Sequence, residues 1–163
     1  MKLCIKKMEN EVEMAGKAYV HYCSWQEAYK GLVDQSYLAA LTLDKCMDIA
    51  RRYPDNIHVA LDEDKVVGFV AYGGYRTAEL PLAGEIFAIY VLSDYYCKGV
   101  GTALMRAALD QLDGYPQVAV WVLKDNARAI AFYRKCGFAF DGTEQTITLG
   151  TPVSEVRMIL TRQ

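Results

Sequence analysis

The stretch EIFAIYVL, Glu85 to Leu92, is too apolar throughout to be a strand with one wet face. QVAVWVL, Gln117 to Leu123, has the same buried character. Between them, Gly99 to Leu112 carries a helical pattern, and strand–helix–strand makes a right-handed crossover. Two doubly buried strands joined through a helix commit the chain to a layered α/β core.

The rest of the chain fits around that unit. KLCIKKM, residues 2–8, alternates weakly and reads as a strand. Glu11 to Tyr29 reads as a helix closed by Gly31, and Gln35 to Leu41 and Leu43 to Arg52 as two short helices stopped by Pro54. IHVALDEDKVVGFVAYGGY then reads as two strands around the polar turn Asp62 to Lys65. Asn126 to Lys135 is a helix closed by Gly137, and FAFDG and EVRMIL are the last strands. The order is β, helices, β-β-β, α, β, α, β, β, which is a mixed α/β domain over residues 1–163.

Composition narrows the function classes. A net charge of -2 argues against a general nucleic-acid binder. MKLCIKKMENEVE turns charged at once, unlike a secretory signal, and no apolar run is long enough to span a bilayer. The cysteines are Cys4, Cys23, Cys46, Cys97 and Cys136, an odd number without a C-x-x-C pair. With only His21 and His58 beside them, the pattern predicts no disulfide framework and no metal site, and a cytoplasmic protein. Both histidines read as structural.

YVLSDYYCKGVGTAL, Tyr90 to Leu104, poses the functional question. It is not a dinucleotide fingerprint, because Leu104 stands where a third glycine belongs, nor a Walker loop, because Lys98 precedes the glycines. A strand, a loop with Gly99 and Gly101, then a helix still suits an anion. The first amides of a helix lack internal partners, the dipole is positive there, and glycine lets a phosphate approach. A mere turn explains the glycines equally well. The next segment, NARAIAFYRKCGF from Asn126 to Phe138, shifts the balance. Asn126 and Tyr133 lie two helical turns apart and share a face, although singly they read as an N-cap and a core residue.

Together these segments resemble the GNAT superfamily of N-acetyltransferases. The family's loop Q/R-x-x-G-x-G/A is met by YYCKGVG, and its N-x-x-A-x-x-F-Y-x-x-x-G-F by NARAIAFYRKCGF in full. SWQEAYKG in the N-terminal helical section resembles a branch of small bacterial members. The departures are Ser93 for a usual proline, Tyr96 for Gln or Arg, and Cys97 for a common glycine. The resemblance implies a mixed, mostly antiparallel sheet of about seven strands flanked by helices, with acetyl-coenzyme A as co-substrate and no metal. It implies that the backbone of Cys97, Lys98, Gly99, Val100, Gly101 and Thr102 cradles the diphosphate. Ile89, Tyr90 and Val91 would bond the pantetheine arm like an added strand, and Asn126 would also face the cofactor.

The implied chemistry is acetyl transfer to a primary amine of a small molecule or a peptide. Tyr133 would protonate the leaving thiolate, and a backbone amide after the bulge in the fourth strand, around Val91, would meet the oxyanion. Counting back eleven from Tyr96 gives Glu85, where one branch of the family keeps a base; a solvated strand end is the competing reading. Trp121 occupies the place where another branch keeps a base. Tyr29 and Tyr72 are candidates to line the acceptor pocket, with Trp25 in the core. Tyr75 and Arg76 fit an acceptor or a surface role equally. The other reading is a non-catalytic acyl-CoA-binding module on the same fold. A monomer or homodimer is expected, without nucleic-acid or membrane partners.

Overall fold

The computed structural model describes residues 1–162. The elements are β1 (Leu3–Lys7), α1 (Glu11–Ala28), α2 (Gln35–Ala40), α3 (Leu43–Arg52), β2 (Ile57–Asp62), β3 (Lys65–Gly74) and β4 (Ala83–Val91). They continue with α4 (Val100–Gln111), β5 (Gln117–Leu123), α5 (Ala127–Lys135), β6 (Ala139–Leu149) and β7 (Thr151–Thr161). One seven-stranded sheet runs β1-β2-β3-β4-β5-β7-β6. Among these strands of the described residues only β4 and β5 pair in parallel, as the crossover through α4 requires.

Local chemistry sets the helix starts. Asn10, Asp34, Thr42 and Asn126 each accept a backbone N–H from the third residue on, opening α1, α2, α3 and α5. Before α4 stands Gly99, with φ 83° and no side-chain cap. Helix α4 therefore begins with its first amides unmet.

The two faces of the sheet differ. Val100, Leu104, Met105 and Ala108 of α4 are buried against β3, β4 and β2. A Cβ on Gly68 would touch both Leu104 and Val91, which places Val91 on the α4 face. On the other face α1 lies over β3 and β4, with Lys17 above the Phe69 ring at 4.7 Å and His21 stacked on Tyr90 at 6.2 Å. Lys17, His21 and Ser24 form a polar stripe down that contact. His21 Nδ1 and Ser24 Oγ are buried without a protein partner. Burial pushes the His21 imidazole down to about 4 and lowers the Lys17 ammonium too.

The last two strands exceed expectation. FAFDG and EVRMIL are read from sequence as short strands, whereas β6 and β7 form a long hairpin turning at Gly150, φ 79°. The added segment, TEQTITL, alternates Thr and Ile but buries little, so apolar content alone hides it. A register shift between Phe140 and Glu144 lets Asp141, Gly142 and Thr143 bulge out opposite Arg157.

The buried neutral His21 has a consequence for acid stability. Its folded value lies below its unfolded one, so the unfolded chain binds the proton first as pH falls. Stability is full above about pH 6.5 and declines toward pH 4, on the order of 3 kcal/mol in total. Urea unfolding at pH 7 and pH 5 should show this loss in the wild type and a smaller one in His21→Phe.

Candidate active site

The site begins where two strands part. β4 pairs β5 only from Ala83–Ile86 to Gln117–Val120. Beyond this, β4 follows β3 to Val91, and β5 follows β7 to Leu123. The register between β3 and β4 slips between Ala71 and Tyr72, leaving Phe87 as the extra residue of a bulge. The bulge lies where β4 leaves β5, ahead of Val91, whose backbone is the expected oxyanion donor.

Backbone direction follows from one hydrogen bond. Leu92 N–H donates to the Val67 carbonyl at 2.9 Å. Alternation then turns Tyr90 and Ala88 toward β3, and the amides and carbonyls of Ile89 and Val91 into the gap. Of the three strand residues expected to hold a ligand arm, Ile89 and Val91 present backbone there. Tyr90 contributes its side chain instead.

The loop after β4 closes one end of the gap. A 3-10 turn, Ser93–Tyr95, leads to Cys97 at φ 59° and Gly99 at φ 83°. Among the described residues, no amide from Cys97 to Thr102 donates within the chain; the first bond of α4 is Ala103 N–H to the Gly99 carbonyl. Alternating left-handed residues turn such amides inward around an anion. The positive φ at Cys97 explains physically why glycine is common there. The Tyr96 ring lies 3.5 Å from the Arg128 guanidinium of α5. A cation on the neighbouring helix therefore stands beside the position where Gln or Arg was expected.

Two tyrosines bond beside the gap, and a third stands on α5. The Tyr29 and Tyr90 hydroxyls are 2.9 Å apart, and Trp25 stacks edge-on against Tyr29. Tyr133, 7% exposed, is set by the α5 cap at Asn126 and packs on Phe132 and Phe138. Burial holds all three phenols above their ordinary range, and Tyr133 is pushed further by Tyr29 and Cys136. They remain protonated donors at any physiological pH.

Other expected residues lie elsewhere. Glu85 is 1% exposed, which overturns the solvated reading. One oxygen accepts from Arg76 Nη2 at 2.7 Å and Nε at 3.1 Å, the other from the Arg76 amide at 3.3 Å. Tyr72, expected at the acceptor pocket, is buried instead with its hydroxyl 3.0 Å from His58 Nδ1. Alternation from Phe69, which lies under α1, puts Tyr72 on the opposite face of β3, with α4. Tyr75 accepts from Trp121 Nε1 and Arg157 Nη1, while Arg157 also donates to Asp141 and Thr143. Sequence reasoning missed Arg128, Glu155 and Gln145. Glu155 shares a strand face with Arg157, which the alternation of EVRMIL would have shown.

This architecture has known counterparts. The profile of the acetyltransferase (GNAT) family matches residues 17–138. An uncharacterized N-acetyltransferase of Bacillus subtilis, YuaI, is 32% identical over 121 residues, covering 72% of this chain and 69% of that protein. Among solved structures, the PaiA N-acetyltransferase of Thermoplasma acidophilum in complex with coenzyme A matches with TM-score 0.76 and 19% identity, over 99% of this chain and all of that one (100%). The Salmonella typhimurium yncA, a putative acetyltransferase with its cofactor acetyl-CoA, matches with TM-score 0.73 and 15% identity, over 99% and 94%. The chain belongs to the GNAT acetyltransferase family.

The loop geometry makes opposite predictions for two substitutions. Gly99→Ala should cost about 1 kcal/mol in denaturant unfolding, since a Cβ is strained at that φ. Cys97→Gly should gain a few tenths, the relieved strain exceeding the added unfolded-state entropy.

Proposed function

We propose that the protein transfers acetyl from acetyl-coenzyme A to a primary amine, by direct attack in a ternary complex. The observation that carries this reading is the parting of β4 and β5 beside a run of unpaired amides. An extended amide-bearing arm adds to Ile89 and Val91 as a strand, and its diphosphate meets the backbone of Cys97 to Thr102. Asn126 caps α5 with its side chain, so its role toward the cofactor is to hold that helix and Tyr133 in place. Lys98 and Arg128 supply positive charge at the mouth of the cradle.

The chemistry then falls to groups along the gap. The thioester carbonyl lies against the inward amides of β4, which stabilise the oxyanion without reorganising. The departing sulfur meets Tyr133. A phenol with so high a pKa yields its proton only where the thiolate is itself made basic by the same dry surroundings; otherwise it stabilises the thiolate as a donor. Tyr29, joined to Tyr90, lines the acceptor side. Glu85, with both oxygens engaged by Arg76, positions that arginine over Phe87 (5.2 Å) rather than serving as base.

Thermal melting with acetyl-coenzyme A, coenzyme A and NAD tests the cofactor. A hundredfold excess over Kd should add about 2.7 kcal/mol for the coenzyme A species alone. No shift at millimolar ligand would contradict the proposal.

Tyr133→Phe should lower turnover about 100-fold with cofactor affinity kept. Equal turnover would remove Tyr133 from the acid role. Glu85→Gln should leave the pH–rate profile in place; a displaced profile would restore Glu85 as the base.

A further inference from the structure

The carboxylates near the acceptor face are nearly all neutralised. Glu85 is paired with Arg76, and Asp141 with Arg157 at 2.6 Å, with Glu79 also 3.7 Å from Arg157. Glu155 differs. It is half-buried, and among the described residues it has no cation within ion-pair distance, only the amide of Gln145.

Its place in the fold aims it at the reaction. Glu155 stands opposite Leu123 on β5 and Gln145 on β6. Leu123 packs in one cluster with Trp25, Tyr29, Leu32 and Val153, where the end of α1 meets the hairpin. Alternation along β7 puts Glu155 on the face of Arg157, which reaches Tyr75 beside Trp121. The charge on Glu155 also helps to raise the Tyr29 phenol, after burial and against the bond from Tyr90. Tyr29 in turn bonds the Tyr90 hydroxyl at 2.9 Å. The groups facing Glu155 are Tyr29 from α1, Gln145 from β6, and Leu123 and Trp121 from β5. Arg157 on β7 is already committed.

We propose that Glu155 is the base for the acceptor, receiving an aliphatic primary ammonium whose carrier lies between the end of α1 and the β6–β7 hairpin. This rests on the transferase reading. The apolar walls select an aliphatic carrier. They also favour the neutral pair over the ion pair once water leaves, so the proton passes within it. One N–H bond of the ammonium breaks and an O–H bond forms on Glu155. The freed lone pair attacks the thioester carbon, and the C–S bond breaks as the tetrahedral intermediate collapses. Sulfur takes the Tyr133 proton, the second nitrogen proton restores Tyr133, and Glu155 returns its own proton to solvent.

The probes are n-hexylamine and 1,6-diaminohexane, with coenzyme A release followed across pH 6–9 at saturating acetyl-coenzyme A. The wild type should turn over at least one. Glu155→Gln, which keeps the shape and the bond to Gln145, should lose at least 100-fold in kcat, and its rate should rise with pH more steeply than that of the wild type, because only the free amine then reacts. Glu155→Asp should recover part of the rate, and Glu144→Gln, paired with Lys124, should behave as wild type. Benzylhydroxylamine, already neutral at these pH values, should be acetylated by wild type and Glu155→Gln at rates within threefold. A Glu155→Gln rate within threefold of wild type, an unchanged pH profile, or wild-type failure on both alkylamines would overturn the proposal. If acetyl-coenzyme A also fails to shift the wild-type melting temperature, the transferase reading falls with it; a normal shift confines the failure to Glu155 and its acceptor.

Discussion

The parting of β4 from β5 is the constraint on which the rest of the site depends. Two parallel strands at the centre of a sheet bury their backbone polar groups by pairing, and an unpaired run there is costly unless something else meets it. Here pairing stops after Ile86, and the bulge at Phe87 marks the same point. Beyond that point each strand keeps only its other neighbour, β4 following β3 and β5 following β7. The opening faces the uncapped start of α4 at one end and the hairpin at the other.

The side chains in that opening share one character. Tyr29, Tyr90 and Tyr133 are hydroxyls in a dry environment, held protonated by burial. They provide donors without adding charge, which suits a reaction whose intermediate is an oxyanion and whose leaving group is a thiolate. Charge is kept to the margins. Arg76 and Arg157 neutralise Glu85 and Asp141, Arg128 rests on Tyr96, and among the described residues Glu155 has no cation within ion-pair distance.

Much of this was legible in the sequence, for physical reasons that differ by element. The apolar runs of β4 and β5 and the glycine-marked start of α4 are local signals, and the structure keeps all three. The helix carrying Asn126 and Tyr133 was legible because an N-cap and a core tyrosine on one face need only helical periodicity. Features set by partners were not. The burial of Glu85 depends on Arg76 folding back from beyond β3, and Tyr72 is drawn away by His58 on a neighbouring strand. The bulge at Phe87 is a matter of register, which no single strand specifies alone. The long hairpin escaped because its faces are wet, so alternation of Thr and Ile was its only mark.

On the proposed reading, the inward amides of β4 beyond Ile86 are unpaired in the protein alone and acetyl-coenzyme A meets them. Amide hydrogen exchange resolved by residue tests it most directly. In the free protein Ile89 and Val91 should exchange faster than Ala88 and Tyr90, which bond β3, and acetyl-coenzyme A should slow Ile89 and Val91 selectively. Exchange at Ile89 and Val91 that stays unchanged while the protein binds acetyl-coenzyme A would contradict the account, because the ligand would then lie outside the gap.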